Sequence, residues 1–307
     1  MEGDAALLLL ADSRLPAGGH AHSGGVEEAV RRGTVTGTGD LARFLRGRLA
    51  TAGLVTAALA ATACELAAAE AGAGAATAPA APAAYGGGAG PQLGAARDPK
   101  VPPADDAADG IELWRRLDTE ADARTASPAQ REAARTQGRL LLRTARRLWP
   151  SAALDALARA VPEGPHHPVA LGAAAASAGC APRQAALAAA YTSVTGPATA
   201  AVRLLGLDPV TVHRLLAGLA PALEDAARAA CAALDDAAPA DDEPDGRETE
   251  HHPEHISERH PGQQPGHPHG RHAAWHARWR ALPGHSAPAL DLLAEGHLTN
   301  PMKLFVS

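Results

Sequence analysis

Between Arg48 and Glu65 the chain carries no charge, and the run Ala50 to Ala63 is made mostly of alanine and threonine. Alanine is the best helix former, because it loses no rotamer freedom and buries no polar group. Side chains this small bury little area of their own. Such a helix is stabilised only where another helix comes very close. The run is shorter than the roughly 20 residues that span a bilayer, so it reads as a buried helix of a soluble chain. The rest of the sequence follows suit. Apolar residues make up 46% of it and aromatics only 3%. Few residue types here favour strands. The expectation is an all-α fold, a single helical domain over residues 1–307, with about ten helices from the apolar spacing.

Local signals set the expected boundaries. Asp40 can cap a helix in which Leu41, Phe44, Leu45 and Leu49 recur at helical spacing. Gly53 reads as a break or kink before Leu54 to Ala69. Ser127-Pro128 places a cap and an N1 proline before a helix with Leu141, Ala145 and Leu148 on one stripe and several arginines on exposed faces. Pro150 ends it, and Ser151 caps a short successor. Gly164 to Pro168 reads as a turn, and Val169 to Ala178 as a small-residue helix. Ala181-Pro182 opens the next helix, which Gly196-Pro197 should kink or split. Pro209 opens what reads as one long helix through Leu219 to Leu234. Residues 71–110 and 239–270 are rich in Pro, Gly or acidic residues and read as two disordered inserts.

Several function classes are excluded by what is missing. The formal net charge of -6 gives no basic field for nucleic acid. There is no GxxxxGK[ST] phosphate loop. Ser23 lacks the glycine two residues earlier that a nucleophile elbow needs, so a hydrolase built on it is weighed and set aside. The three cysteines, Cys64, Cys180 and Cys231, are widely spaced. They read as small buried residues of a reducing compartment. No basic residue precedes Leu7 to Leu10, so no signal peptide is expected and the localisation reads as cytoplasmic.

Metal chemistry stays open. Most of the 15 histidines lie after residue 250. His251, His252, His255, His272 and His276 are candidates for weak nickel contacts, with His272 and His276 on one side of a helix. The other reading of this tract is a solvated linker with incidental histidines. No tightly bound cofactor is expected.

The densest collection of polar groups is Pro16-Ala-Gly-Gly-His-Ala-His-Ser-Gly-Gly-Val-Glu27, between two helix-like segments. Several glycines let the backbone turn tightly or approach another segment. His22, Ser23 and Glu27 stand on that frame. Glu27 can also be read as a first-turn carboxylate favoured by the helix dipole.

With Leu15, this stretch resembles the N-terminal signature of the UreF family of urease accessory proteins, with His20 in place of an aromatic residue and Val26 in place of leucine. Leu117 to Arg124, with Arg135 to Leu142, resembles the central helices of that family. Tyr191 to Leu205 resembles another, and Met302-Lys-Leu-Phe-Val-Ser307 its closing segment. Lys303 stands where arginine is usual, which loses the planar fork of the guanidinium. The resemblance implies an all-α protein without enzymatic activity. It implies binding to UreD (also called UreH), recruitment of the GTPase UreG, and nickel delivery to apo-urease. It also implies a homodimer within the complex and a path for transient nickel. His22, Ser23 and Glu27 become candidates for a partner-facing or passage-lining site. Arg203, Lys303, Leu304 and Phe305 become candidates for contacts between chains. Arg203 could equally be a surface helix charge. The alternative function is a stand-alone His-rich nickel-binding or storage protein.

Overall fold

The computed structural model describes residues 2–12, 14–16, 18–76, 104–235 and 268–306. Regular structure among them is helical throughout. The order is α1 (Glu2–Ala11), α2 (Val26–Arg31), α3 (Thr38–Arg48), α4 (Leu54–Ala76), α5 (Ala104–Ala123), α6 (Pro128–Leu148) and α7 (Ala152–Ala160). It continues with α8 (His167–Ser177), α9 (Pro182–Leu205), α10 (Pro209–Gly218), α11 (Ala220–Asp235), α12 (Pro268–Arg280) and α13 (Pro288–Leu298). Short α1 and α2, and a split within 209–235, raise the number above the ten or so expected from the apolar spacing.

The centre is α4 packed on α8 and α9, with α6 and α11 outside them. Absent side chains set its closeness. A Cβ on Gly172 would lie 2.1 Å from the Ala60 carbonyl oxygen, and one on Gly138 would lie 1.9 Å from that of Pro165. Ala57, Ala58, Ala60, Ala61 and Ala63 of α4 are fully buried, as are Ala170, Ala173 and Ala174 of α8. Backbone-to-backbone dispersion replaces the area that large side chains would bury. The stretch Thr38–Gly72 is apolar enough to cross a membrane, but 67% of its most apolar window is buried inside the fold. Its apolar surface is therefore core.

Local caps stand where the sequence placed them. Ser127 Oγ accepts the Gln130 N–H at 3.1 Å and Ser151 Oγ accepts the Leu154 N–H at 3.2 Å.

Five expectations need correction. Asp40 is not the cap of α3. It lies in the first turn, and its Oδ2 reaches back to accept the Thr36 N–H at 3.0 Å. Gly53 does not break the chain of helices, because a π-helical turn over Leu49–Gly53 joins α3 to α4. A Cβ on Gly53 would lie 3.0 Å from Ser193 Oγ, so the glycine serves close approach to α9. Pro197 does not split α9, which runs through it. The helix from Pro209 stops at Gly218, because Pro221 has no N–H to continue it. Leu148 is 51% exposed rather than on the buried stripe.

The proposed inserts are also narrower than read. Residues 71–76, 104–110 and 268–270 belong to α4, α5 and α12. The remainder of both, with His251, His252 and His255, lies outside the described residues.

The C-terminal helix is tied down at both ends. Glu295 Oε1 accepts Ser127 O–H at 2.5 Å and Ala129 N–H at 3.0 Å. These groups start α6, where orphan N–H donors and the dipole favour an anion. Gln130 Nε2 donates to Asp291 Oδ1 at 3.2 Å, and Arg32 Nη2 to Leu292 O at 3.4 Å. With α13 fixed on α2 and α6, the chain end returns to the signature turn.

Candidate functional site

The turn from Pro16 to Glu27 works because of where its glycines sit. Gly18, Gly24 and Gly25 have φ of 76°, 59° and 90°, the left-handed region that favours glycine. Gly24 is also enclosed, since a Cβ there would lie 2.8 Å from Pro197 Cγ and 3.3 Å from Arg48 Cζ. The turn thus presses on the middle of α9 and aims α2 at the chain end.

Glu27, in the first turn of α2, is buried. Its Oε1 accepts the Leu304 N–H at 2.5 Å and its Oε2 the Phe305 N–H at 3.2 Å. His297 stands beside it, with Nδ1 3.5 Å from Glu27 Oε2. Nε2 of His297 meets the Phe305 carbonyl at 3.2 Å and must donate there, since a carbonyl only accepts. The Val306 N–H donates to Ala21 O at 2.7 Å. Arg203 places its guanidinium 4.8 Å from the Phe305 ring centroid, within cation–π range. The tail is therefore fastened along its backbone and at one ring.

The sequence-derived candidates fall into two groups. Glu27, Arg203, Leu304 and Phe305 come together in one clasp. Arg203 and Phe305 meet each other within one chain, where a contact between chains was expected. Phe305 is 5% exposed, whereas Leu304 is 71% exposed and Met302 83%. Lys303 is exposed too. His22 and Ser23 are buried beneath the turn. Ser23 Oγ has no hydrogen-bond partner among the described residues, in particular no histidine. His276 lies on α12 against Arg116 and edge-on to Trp279 at 5.3 Å between ring centroids. His272 lies on the same helix.

Next to the clasp, Glu28 is fully buried between two arginines. Hydrogen bonds from Arg31 at 2.6 Å and Arg32 at 2.7 Å hold its carboxyl down to about 2 despite burial. This fixes α2 as a charged but neutralised strut.

Behind the turn lies a cavity of about 520 Å³, lined by His22, Arg48, His167, Tyr191, His297 and Phe305 among others. Burial, helped by nearby His22, pulls His167 down to about 4, so its imidazole is neutral near pH 7. A neutral imidazole can ligate a divalent ion. Sequence reasoning took Gly164 to Pro168 only as a turn and so missed His167. It also missed Arg48 and His297, whose roles arise from distant partners.

One further cluster resembles a metal site. Ligand atoms of Asp118, Asp122 and His166 lie within 4.8 Å of one another. Arg135 already donates to Asp118 at 2.9 Å and to Asp122 at 2.6 Å. The His166 N–H meets Asp118 Oδ1 at 2.7 Å, and His166 Nε2 meets Asp122 Oδ1 at 2.8 Å. All four carboxylate oxygens are engaged, so the group is a clasp joining α5, α6 and the start of α8.

Comparison with known proteins agrees with this architecture. The family model described as UreF matches residues 35–220. A protein of Mycobacterium sp. (strain JLS) named urease accessory protein UreF is 46% identical over 224 residues, 73% of this chain and 83% of that one. One of the same name from Mycolicibacterium vanbaalenii is 42% identical over 236 residues, 77% of this chain and 89% of its own. Another, from Mycobacterium tuberculosis, is 40% identical over 232 residues, 76% and 87% of the two chains.

Proposed function

We propose a specific task for this chain, which belongs to the UreF family of urease accessory proteins and so has a role in urease maturation rather than catalysis. It is a scaffold that binds a UreD/UreH partner, recruits the GTPase UreG, and supports nickel delivery to apo-urease, working as a homodimer within that assembly. The observation that carries this reading is the clasped tail. Glu27 holds the backbone at Leu304 and Phe305 while the side chains of Met302, Leu304 and Val306 stay outside, at 83%, 71% and 57% exposure. Apolar groups held outward on a fixed backbone suit a protein partner, since their ordering cost is already met within the chain. Leu292 and Leu298 of α13 add exposed apolar surface nearby in sequence.

Nickel is cargo in this reading. Neutral His167, with His22, is the donor set that a passing ion would meet in the cavity. Contact with one or two ligands at a time suits transit, whereas a closed structural site takes about four. The histidines at 251, 252, 255, 272 and 276 remain a proposed weak capture arm.

The test is co-purification of the full chain with UreD/UreH and UreG homologues, alongside a deletion of residues 302–307. The deletion is expected to lose the complex and urease activation. Retention of both would remove the tail from the account.

A further inference from the structure

The cavity behind the signature turn contains a charge that the fold does not balance. Arg48 ends α3 and lines that cavity. Its Nε donates to Ser193 O at 2.8 Å and its Nη1 to Gly24 O at 2.9 Å. Pro197 has no N–H, so Ser193 O lacks the helical donor four residues on. Arg48 supplies a substitute. That accounts for Nε and Nη1. It leaves Nη2, with two N–H donors, uncommitted among the described residues.

Other interior arginines are treated differently. Arg135 meets Asp118 and Asp122, Arg124 meets Glu120, and Arg278 meets Glu65. Among the described residues no carboxylate forms an ion pair with Arg48, and burial alone lowers it to about 10, leaving it charged near neutrality. Arg48 itself is only half-buried, so its guanidinium is held by the fold yet still reachable. Its two fixed partners are neutral carbonyls. The guanidinium is also held in place, because Gly24 has no Cβ and the Arg48 Cζ and Nη2 occupy the space 3.3 Å from where one would be.

The surroundings select the kind of ion that would balance it. Tyr191 adds a hydroxyl group to the lining, whereas the Thr192 and Thr195 hydroxyls donate to Ala189 O and Tyr191 O at 3.1 Å. Arg124 also lines the cavity but is paired with Glu120, so the free Nη2 of Arg48 is what a monoanion with planar oxygens would meet. One guanidinium undercompensates a phosphate dianion.

We infer that this cavity is a carboxylate site with Arg48 as its charged anchor, filled by a small free carboxylate or by an acidic side chain of a protein partner. The site takes the negative group through Nη2, while Nε serves Ser193 O in α9 and Nη1 serves Gly24 O in the turn.

The experiment uses the full chain and sodium acetate, with sodium chloride and sodium phosphate at matched ionic strength. Thermal melting and titration calorimetry are read for wild type, Arg48→Lys and Arg48→Met. The expected result is a saturable acetate response in wild type, about tenfold weaker in Arg48→Lys and absent in Arg48→Met. Chloride and phosphate should give only the salt effect. If acetate has no effect, the same variants are scored for retention of a co-purified UreD/UreH homologue. Loss in Arg48→Met with rescue in Arg48→Lys assigns the carboxylate to the partner. The acetate arm is independent of the partner reading above, so the two can fail separately. Acetate behaving as chloride in wild type, together with unchanged partner retention in Arg48→Met, overturns the inference and leaves Arg48 as a cap for Ser193. Should Arg48→Met fail to fold, wild type against Arg48→Lys decides both arms.

Discussion

Glu27 Oε2 accepts the N–H of Phe305 at 3.2 Å, which joins the first turn of α2 to a residue 278 positions later in the chain. With the Leu304 N–H on the other oxygen, one buried carboxylate fixes the course of the tail. Hydrogen bonds to a charged acceptor each contribute about 1.5–3 kcal/mol. Glu27→Ala is therefore expected to release the tail locally while the helical core stays folded. Amide exchange at Leu304 and Phe305 should speed up by about 30-fold or more, the equivalent of some 2 kcal/mol. Exchange in α4 and α9 should be unaltered. Unchanged rates at 304 and 305 would show that Phe305 and its contact with Arg203 hold the tail without Glu27.

Arg48 and Pro197 should be energetically coupled through the Ser193 carbonyl. In Pro197→Ala an N–H returns to α9, and Ser193 O regains its own helical donor. Arg48→Met should then cost less in the Pro197→Ala background than alone, by about 1 kcal/mol in a double-mutant cycle from denaturant melts. Additive costs would mean that the Arg48–Ser193 bond contributes nothing measurable.

The glycines divide sharply by surroundings. Gly172→Ala must push a methyl group towards the Ala60 carbonyl, 2.1 Å from an ideal Cβ. A loss of about 3 kcal/mol is expected, because close-packed interiors yield little. Gly47 in α3 has nothing within 4 Å of its Cβ position. There the higher helix propensity of alanine should add about 0.5–1 kcal/mol. Melting temperatures of the two variants check both signs.

Much of this contrast could be read along the chain, and some could not. Ser127, Ser151 and Pro209 mark helix starts because a cap acts over three residues. Pro197 looked like a kink or split for the same local reason. Its lost hydrogen bond is replaced from Arg48, 145 residues away, and no window contains both. The turn at 16–27 was legible as a tight frame for polar groups. Its direction was not, because His22, Ser23 and Glu27 point into the fold, towards cavity and tail. The paired meeting of Arg203 with Phe305 needed the three-dimensional return of the chain end. His167 hid in a Gly-Pro-His-His-Pro sequence whose turn character masked its ring.

The pH dependence of stability should carry the mark of His167. Its folded value of about 4 lies below the ordinary 6.5, held down by burial and by His22. The unfolded chain therefore binds more protons between those values. Stability is unaffected by this group above about pH 6.5 and falls as pH drops towards 4. The displacement from 6.5 to about 4 corresponds to about 3 kcal/mol at the lower end. Glu28 acts lower still, because its contribution is present above its ordinary value and lost as pH falls towards about 2. His167→Gln should flatten the loss between pH 6.5 and 4 in urea melts. An identical slope in variant and wild type would place the His167 ring in water.

The most direct test of the account is partner retention by Glu27→Ala, a substitution that alters no exposed side chain of the tail. Purified variant and wild type would be compared for capture of UreD/UreH and UreG homologues, with thermal melting to confirm an intact core. The clasped-tail account predicts that Glu27→Ala loses the partners much as deletion of residues 302–307 does. Full capture by Glu27→Ala, with the tail shown free by amide exchange, would contradict it.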